Sequence, residues 1–167
     1  MKRSAQDKVC TPPDAKSSTA AEVAAEILLA EDNPADVYLV REALQEHGVA
    51  CPLRVASDGR EVLQLLSHLD LEPEANHVVL IILDLNLPRH DGIEILQKLR
   101  ETPRLSHIPV VVLTSSDSPR DREVATRLGA ARYLRKPSNL EQFLNLGAVF
   151  KDLLEGPAAE SGGGTRG

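Results

Sequence analysis

The sequence predicts a doubly wound α/β domain, in which a parallel sheet of five strands carries five helices over its two faces. Three observations support this. Short runs of Val, Ile and Leu, such as Val78 to Leu83 and Val110 to Leu113, alternate five times with longer amphipathic stretches, the pattern of buried parallel strands joined by helices. Cap and turn residues separate the runs: Asn33-Pro34, Asp91-Gly92 and Ser118-Pro119. Finally, 167 residues that are 42% hydrophobic suffice for one packed core and its tails.

Taken in order, residues 1–23 are rich in Lys, Ser, Thr, Ala and Pro without periodicity and are expected to be a disordered leader. The folded domain is expected over 24–155, and the Gly-rich 156–167 as a disordered tail. Strand one is Ile27 to Ala30. Helix one starts at Pro34 with Asn33 as its cap and runs to His47, where Gly48 ends it. Leu53 to Ala56 is strand two, followed by a helix from Gly59 to Leu69 and a solvated loop from Asp70 to His77. Strand three is Val78 to Leu83, and helix three runs from Gly92 to Arg100 behind an Asp91 cap. Strand four is Val110 to Leu113. Ser118-Pro119 opens helix four, which ends at Gly129, and strand five is Ala131 to Arg135. Ser138 or Asn139 opens helix five, which continues to Leu154. No effector domain is expected within these residues.

Composition narrows the function. There are 25 acidic residues against 19 basic ones, a net charge of −6, and the only aromatic residues are Tyr38, Tyr133, Phe143 and Phe150. That balance argues against a nucleic-acid surface and against base stacking. The longest apolar run, Val78 to Leu83, is far too short to span a bilayer, and no signal-peptide pattern opens the chain. A cytoplasmic protein is expected, with Cys10 and Cys51 as plain thiols.

Chemistry-bearing residues gather just after the strands. Glu31 and Asp32 follow strand one, Asp84 strand three, Thr114 strand four and Lys136 strand five. In open α/β sheets the ligand site lies beyond the carboxyl ends of the strands, and an order of 2-1-3-4-5 sets strands one and three side by side. Three crowded carboxylates repel one another unless a cation relieves them, and oxygen donors without Cys or His favour Mg2+. Glu31, Asp32 and Asp84 with Lys136 sum to −2, which one Mg2+ brings near neutral, so an incoming phosphoryl dianion is no longer repelled. A carboxylate can then attack phosphorus to form an aspartyl phosphate.

The set Glu31-Asp32-Asn33-Pro34, Asp84 to Gly92, Leu113-Thr114-Ser115-Ser116 and Arg135-Lys136-Pro137, in that order, resembles the response-regulator receiver domain, a flavodoxin-like fold. Ala30 to Asp36 and Leu85 to Arg89 are most similar to receivers that partner bacterial phytochrome histidine kinases. The resemblance implies Asp84 as phosphoacceptor and Glu31, Asp32, Asp84 and the backbone carbonyl of Asn86 as Mg2+ ligands, with Glu31 reaching the ion through water. It also implies Lys136 and Thr114 as the groups that meet the phosphoryl oxygens, and Thr114 with Tyr133 as the switch pair. Partners implied are a sensor histidine kinase and a second copy or target docked on helix four, strand five and helix five, where arginines from Arg120 to Arg135 outnumber acids. Asn86 and Ser116 fall where this family tunes phosphoryl lifetime. His90 reads as a solvated loop residue, and Asp36 and Asp91 as helix-terminal acids stabilised by the helix dipole rather than as ligands.

Two other classes compete with the phosphorylated switch. One is a receiver-fold interaction module that is never phosphorylated, expected where acids or lysine are missing; all are present here. The other is an enzyme on a similar fold. Flavin mononucleotide binding needs a Ser/Thr-rich phosphate loop where Glu31-Asp32 stands, and a dehalogenase-like phosphatase needs an aspartate where Asn86 stands.

Overall fold

The computed structural model describes residues 24–75 and 77–156, so the expected leader and all of the tail beyond Gly156 lie outside the described residues. Five parallel strands, β1 (Glu26–Ala30), β2 (Leu53–Ala56), β3 (Val78–Leu83), β4 (Val110–Thr114) and β5 (Arg132–Arg135), form one sheet in the order β2-β1-β3-β4-β5. Five helices connect and follow them: α1 (Pro34–Glu46), α2 (Gly59–Leu71), α3 (Gly92–Glu101), α4 (Pro119–Arg127) and α5 (Leu140–Glu155). The predicted architecture and strand order are those observed.

Each helix begins where a short polar side chain takes over an orphan backbone N–H. Asn33 Oδ1 accepts from Ala35 N at 3.0 Å, Asp58 Oδ1 from Glu61 N at 2.8 Å and Asp91 Oδ1 from Ile93 N at 2.9 Å. Ser118 Oγ and Asn139 Oδ1 do the same for α4 and α5, each at 3.2 Å. Such a cap is worth about 1 kcal/mol. Because α1, α3 and α4 are capped three to eight residues beyond the ends of their strands, these caps also fix where the loops on the site rim end.

The sheet is sandwiched between two apolar clusters. Ile27, Leu29, Leu80, Ile82, Val111 and Leu113 point to the side covered by α1 and α5, where Phe143 and Phe150 are fully buried. Leu28, Ile81, Leu83, Val110 and Val112 point to the side covered by α2, α3 and α4. Alternate residues of each strand feed opposite cores, and so the strands read as unbroken apolar runs. Between α1 and α5 the approach is close enough that a Cβ on Gly147 would overlap the Ala43 carbonyl oxygen.

Two departures stand out. Helix α2 extends past Leu69 to Leu71, and Pro73–Ala75 forms a single 3-10 turn, so more than half of the expected loop is helical. The extension is carried by Leu69, 2% exposed, while Leu71 at the tip is bare. Cys51, expected as a plain thiol, is disulfide-bonded; the chain's other cysteine, Cys10, lies outside the described residues. Nothing in the local sequence around Cys51-Pro52 signals that bond.

Candidate functional site

Backbone hydrogen bonds continue the sheet one residue past its strands and so bring the site residues to one rim. Glu31 N donates to Ala56 O at 3.0 Å, Asp84 N to Ala30 O at 3.0 Å and Lys136 N to Thr114 O at 2.9 Å. The ladder pairs Ala30 with Leu83 and Thr114 with Arg135, so the residues that follow converge.

The carboxylates of Glu31, Asp32 and Asp84 offer oxygen atoms that all lie within 4.8 Å of one another. Glu31 and Asp84 are 2% and 4% exposed, whereas Asp32 faces solvent. Three oxygen donors, two of them buried and one open, fit a hard divalent cation that keeps several waters. Burial pushes the Glu31 carboxyl up to about 7, and the hydrogen bonds from Lys136 and from Asn33 N, the latter at 3.0 Å, only partly offset it.

Lys136 supplies the positive charge. Its Nζ lies 2.6 Å from Glu31 Oε2, 2.7 Å from Asp84 Oδ2 and 2.9 Å from Asp36 Oδ2. Although burial works against the ammonium, the hydrogen bonds it donates to Asp84, Glu31 and Asp36 raise its pKa well above the usual lysine range. Asp36 is the residue that sequence reasoning missed. It occupies the first turn of α1 and adds a fourth carboxylate, so a divalent ion leaves the pocket near −1 rather than neutral.

Around Asp84 the loop is tightly held. Asn86 N donates to Asp84 Oδ1 at 3.0 Å, and a Cβ on Gly92 would come 2.5 Å from Leu85 Cα, so only glycine lets α3 start this close to the loop. Arg89 adopts a φ of 75° and pairs with Asp58 at 3.2 Å, tying this loop to the one after β2. His90, expected in solvent, is half-buried against Gly59.

Thr114 is fully buried, and its Oγ1 accepts from Asn86 Nδ2 at 3.3 Å and from Ser116 N at 3.1 Å. With both acceptor positions used, the hydroxyl proton is left to donate. Tyr133 is half-buried beneath Arg122, whose Cζ sits 4.8 Å from the ring centroid. Its hydroxyl is buried without a hydrogen-bond partner among the described residues, and that burial raises its pKa. A groove of about 560 Å³ opens beside it, lined by Ser116, Ser118, Arg122, Glu123 and Arg127 among others. The basic face is less free than its sequence suggests. Arg127 pairs with Glu123 at 2.7 Å and Arg135 with Asp117 at 3.1 Å.

Comparison with known proteins decides the family. The family model of the response regulator receiver domain matches residues 27–146. The chain belongs to that family. Among curated receivers it is 37% identical to the response regulator Rcp1 of Synechocystis over 120 residues, 72% of this chain and 82% of Rcp1. It is 35% identical to the response regulator MprA of Mycolicibacterium vanbaalenii but spans only 54% of that longer protein. Its fold matches the crystal structure of the phosphorylated cyanobacterial phytochrome response regulator RcpA, with a TM-score of 0.72, 34% identity and coverage of 80% of this chain and 96% of RcpA. The Mn2+-bound form of Rcp1 follows at a TM-score of 0.69 and 35% identity, covering 76% and 91%. This receiver is therefore close to phytochrome response regulators. Among the described residues no helix is long and apolar enough to cross a membrane.

Proposed function

We propose that this receiver takes a phosphoryl group from a sensor histidine kinase onto Asp84 and thereby changes its protein-binding surface. The observation that carries the reading is the convergence of Lys136 Nζ on Asp84 Oδ2 at 2.7 Å within a cluster of three carboxylates. In the transfer an Asp84 carboxylate oxygen forms a bond to phosphorus while the phosphorus–nitrogen bond of the phosphohistidine breaks, and the departing ring nitrogen takes up a proton. Glu31, Asp32, Asp84 and the Asn86 carbonyl would hold Mg2+, which supplies positive charge to the phosphoryl oxygens. The Mn2+-bound form of the similar Rcp1 supports a divalent ion here. Lys136 neutralises a further oxygen, and the free Thr114 proton donates to another.

Phosphorylation raises the charge on Asp84 from one to about two. Drawing Thr114 toward it breaks the contact with Asn86 Nδ2 and empties space behind the hydroxyl, which invites the Tyr133 ring inward and away from Arg122. The face of α4, β5 and α5 is thus remodelled for a target or a second copy. Similarity to Rcp1 and RcpA supports a bacterial phytochrome as the kinase and a cytoplasmic setting. An interaction module that is never phosphorylated would have no need for the buried Lys136–Asp84 pair. Beryllofluoride with Mg2+ tests the reading: it is expected to perturb Thr114 and Tyr133 resonances in the wild type and to leave Asp84→Asn unchanged. Equal response in both proteins would exclude Asp84.

A further inference from the structure

Lysine's ammonium carries three protons, and in this pocket three acids take them: Glu31, Asp84 and Asp36. Only Glu31 and Asp84 belong to the metal-competent cluster with Asp32; Asp36 stands outside it. An acid in the first turn of a helix is ordinarily explained by the helix dipole. That explanation accounts for an acid on α1 but not for an oxygen 2.9 Å from the ammonium of a lysine 100 residues away, on a side chain only 19% exposed.

We propose that Asp36 is a positioning residue which, together with Glu31, fixes the Lys136 ammonium so that the proton now resting on Asp84 Oδ2 is the one presented to an incoming phosphoryl oxygen. The inference rests on the phosphoryl-transfer reading and extends it to a residue that reading does not use. The physical argument concerns degrees of freedom. Lys136 ends a flexible four-carbon stem, and one hydrogen bond leaves the ammonium free to turn about that bond; a second anchor fixes the direction of the third proton. Glu31 serves as the first anchor, yet its carboxylate also belongs to the cation cluster and accepts from Asn33 N, so its charge is shared. Asp36 keeps its whole charge for the lysine. When Asp84 passes from carboxylate to acyl phosphate, the Asp84 position is the one that changes hands, while Glu31 and Asp36 hold still.

Two substitutions separate this role from a structural or repulsive one. Asp36→Ala removes the acceptor, and Asp36→Asn keeps an acceptor oxygen of nearly the same shape. In metal-free protein labelled with 15N-lysine, the Lys136 ammonium protons are expected to exchange with water about tenfold faster in Asp36→Ala, the loss of one charged hydrogen bond, and to stay near wild type in Asp36→Asn. With acetyl phosphate and saturating Mg2+, labelling of Asp36→Ala is expected to slow by about tenfold, with Asp36→Asn recovering most of the rate. Unchanged exchange and labelling in Asp36→Ala would overturn the proposal, as would faster labelling in both variants, which would make Asp36 a repelling charge instead. If wild-type protein takes no label, the phosphoryl reading falls, whereas the exchange rates still decide whether Asp36 anchors Lys136.

Discussion

Replacing Lys136 by Met removes the cation that, among the described residues, sits within a group of four carboxylates, while keeping most of the apolar stem, and the structure sets the size of the effect. The lysine side chain is 12% exposed and bonded to three acids, two of which, Glu31 and Asp84, are almost wholly buried. Breaking a buried pair by deleting one partner costs about 3–5 kcal/mol. Part of that is recovered by protonation. Glu31 is already pushed up to about 7, and losing Lys136 removes the interactions that hold it down, so in the variant it titrates higher still. The sign follows from linkage: a carboxyl whose folded pKa is raised favours folding in its protonated form, and that contribution disappears as pH rises through the folded value. The variant is therefore expected to lose about 4 kcal/mol at about pH 8.5 but under about 2 kcal/mol at about pH 5.5. Urea unfolding of both proteins at the two pH values measures this, and millimolar Mg2+ is expected to recover much of the loss at high pH by replacing the missing charge. A loss equal at both pH values and indifferent to Mg2+ would mean that Lys136 matters through packing, and the charge argument would fail.

Further outcomes follow from other parts of the molecule. Because Glu31 titrates near 7 and must give up its proton to help hold a cation, calorimetric Mg2+ affinity is expected to fall by up to about tenfold per pH unit below about 7 and to level off above it; the same profile in Glu31→Gln would exclude Glu31 from the site. Gly147→Ala forces a Cβ into the Ala43 carbonyl and is expected to destabilise by more than about 2 kcal/mol in thermal melts, and an unchanged midpoint would show that α1 and α5 give way freely. Charge reversal at Arg127 and Arg132 together is expected to weaken self-association and its salt dependence; identical sedimentation of wild type and variant, with and without beryllofluoride, would remove the α4, β5 and α5 face from the account.

Much of this was legible in the sequence because the signals were local. Runs such as Val78 to Leu83 are buried on both faces and need no partner to be recognised, and Asn33, Asp91 and Ser118 cap their helices as short polar residues before a first turn do. The rim positions of Glu31, Asp32, Asp84, Thr114 and Lys136 followed from strand ends alone. The Asp36–Lys136 pair was not legible, since it depends on the Lys136 side chain reaching from the end of β5 to the first turn of α1, across 100 residues of chain. One signal did exist: the first turn of a helix following β1 begins at the same rim, so any acid there is a neighbour of the site. Arg122 over Tyr133 is a similar case, and so is the helical end of the stretch from Asp70, where Leu69 and Leu71 carry no visible turn chemistry.

The most direct test of the central claim is to map the label itself. Protein incubated with acetyl phosphate and Mg2+ is expected to gain one phosphoryl group, located by peptide mass spectrometry to the segment carrying Asp84 and lost when Mg2+ is chelated. A phosphoryl group on any other residue, or none at Asp84 under conditions in which a known receiver is labelled, would contradict the account.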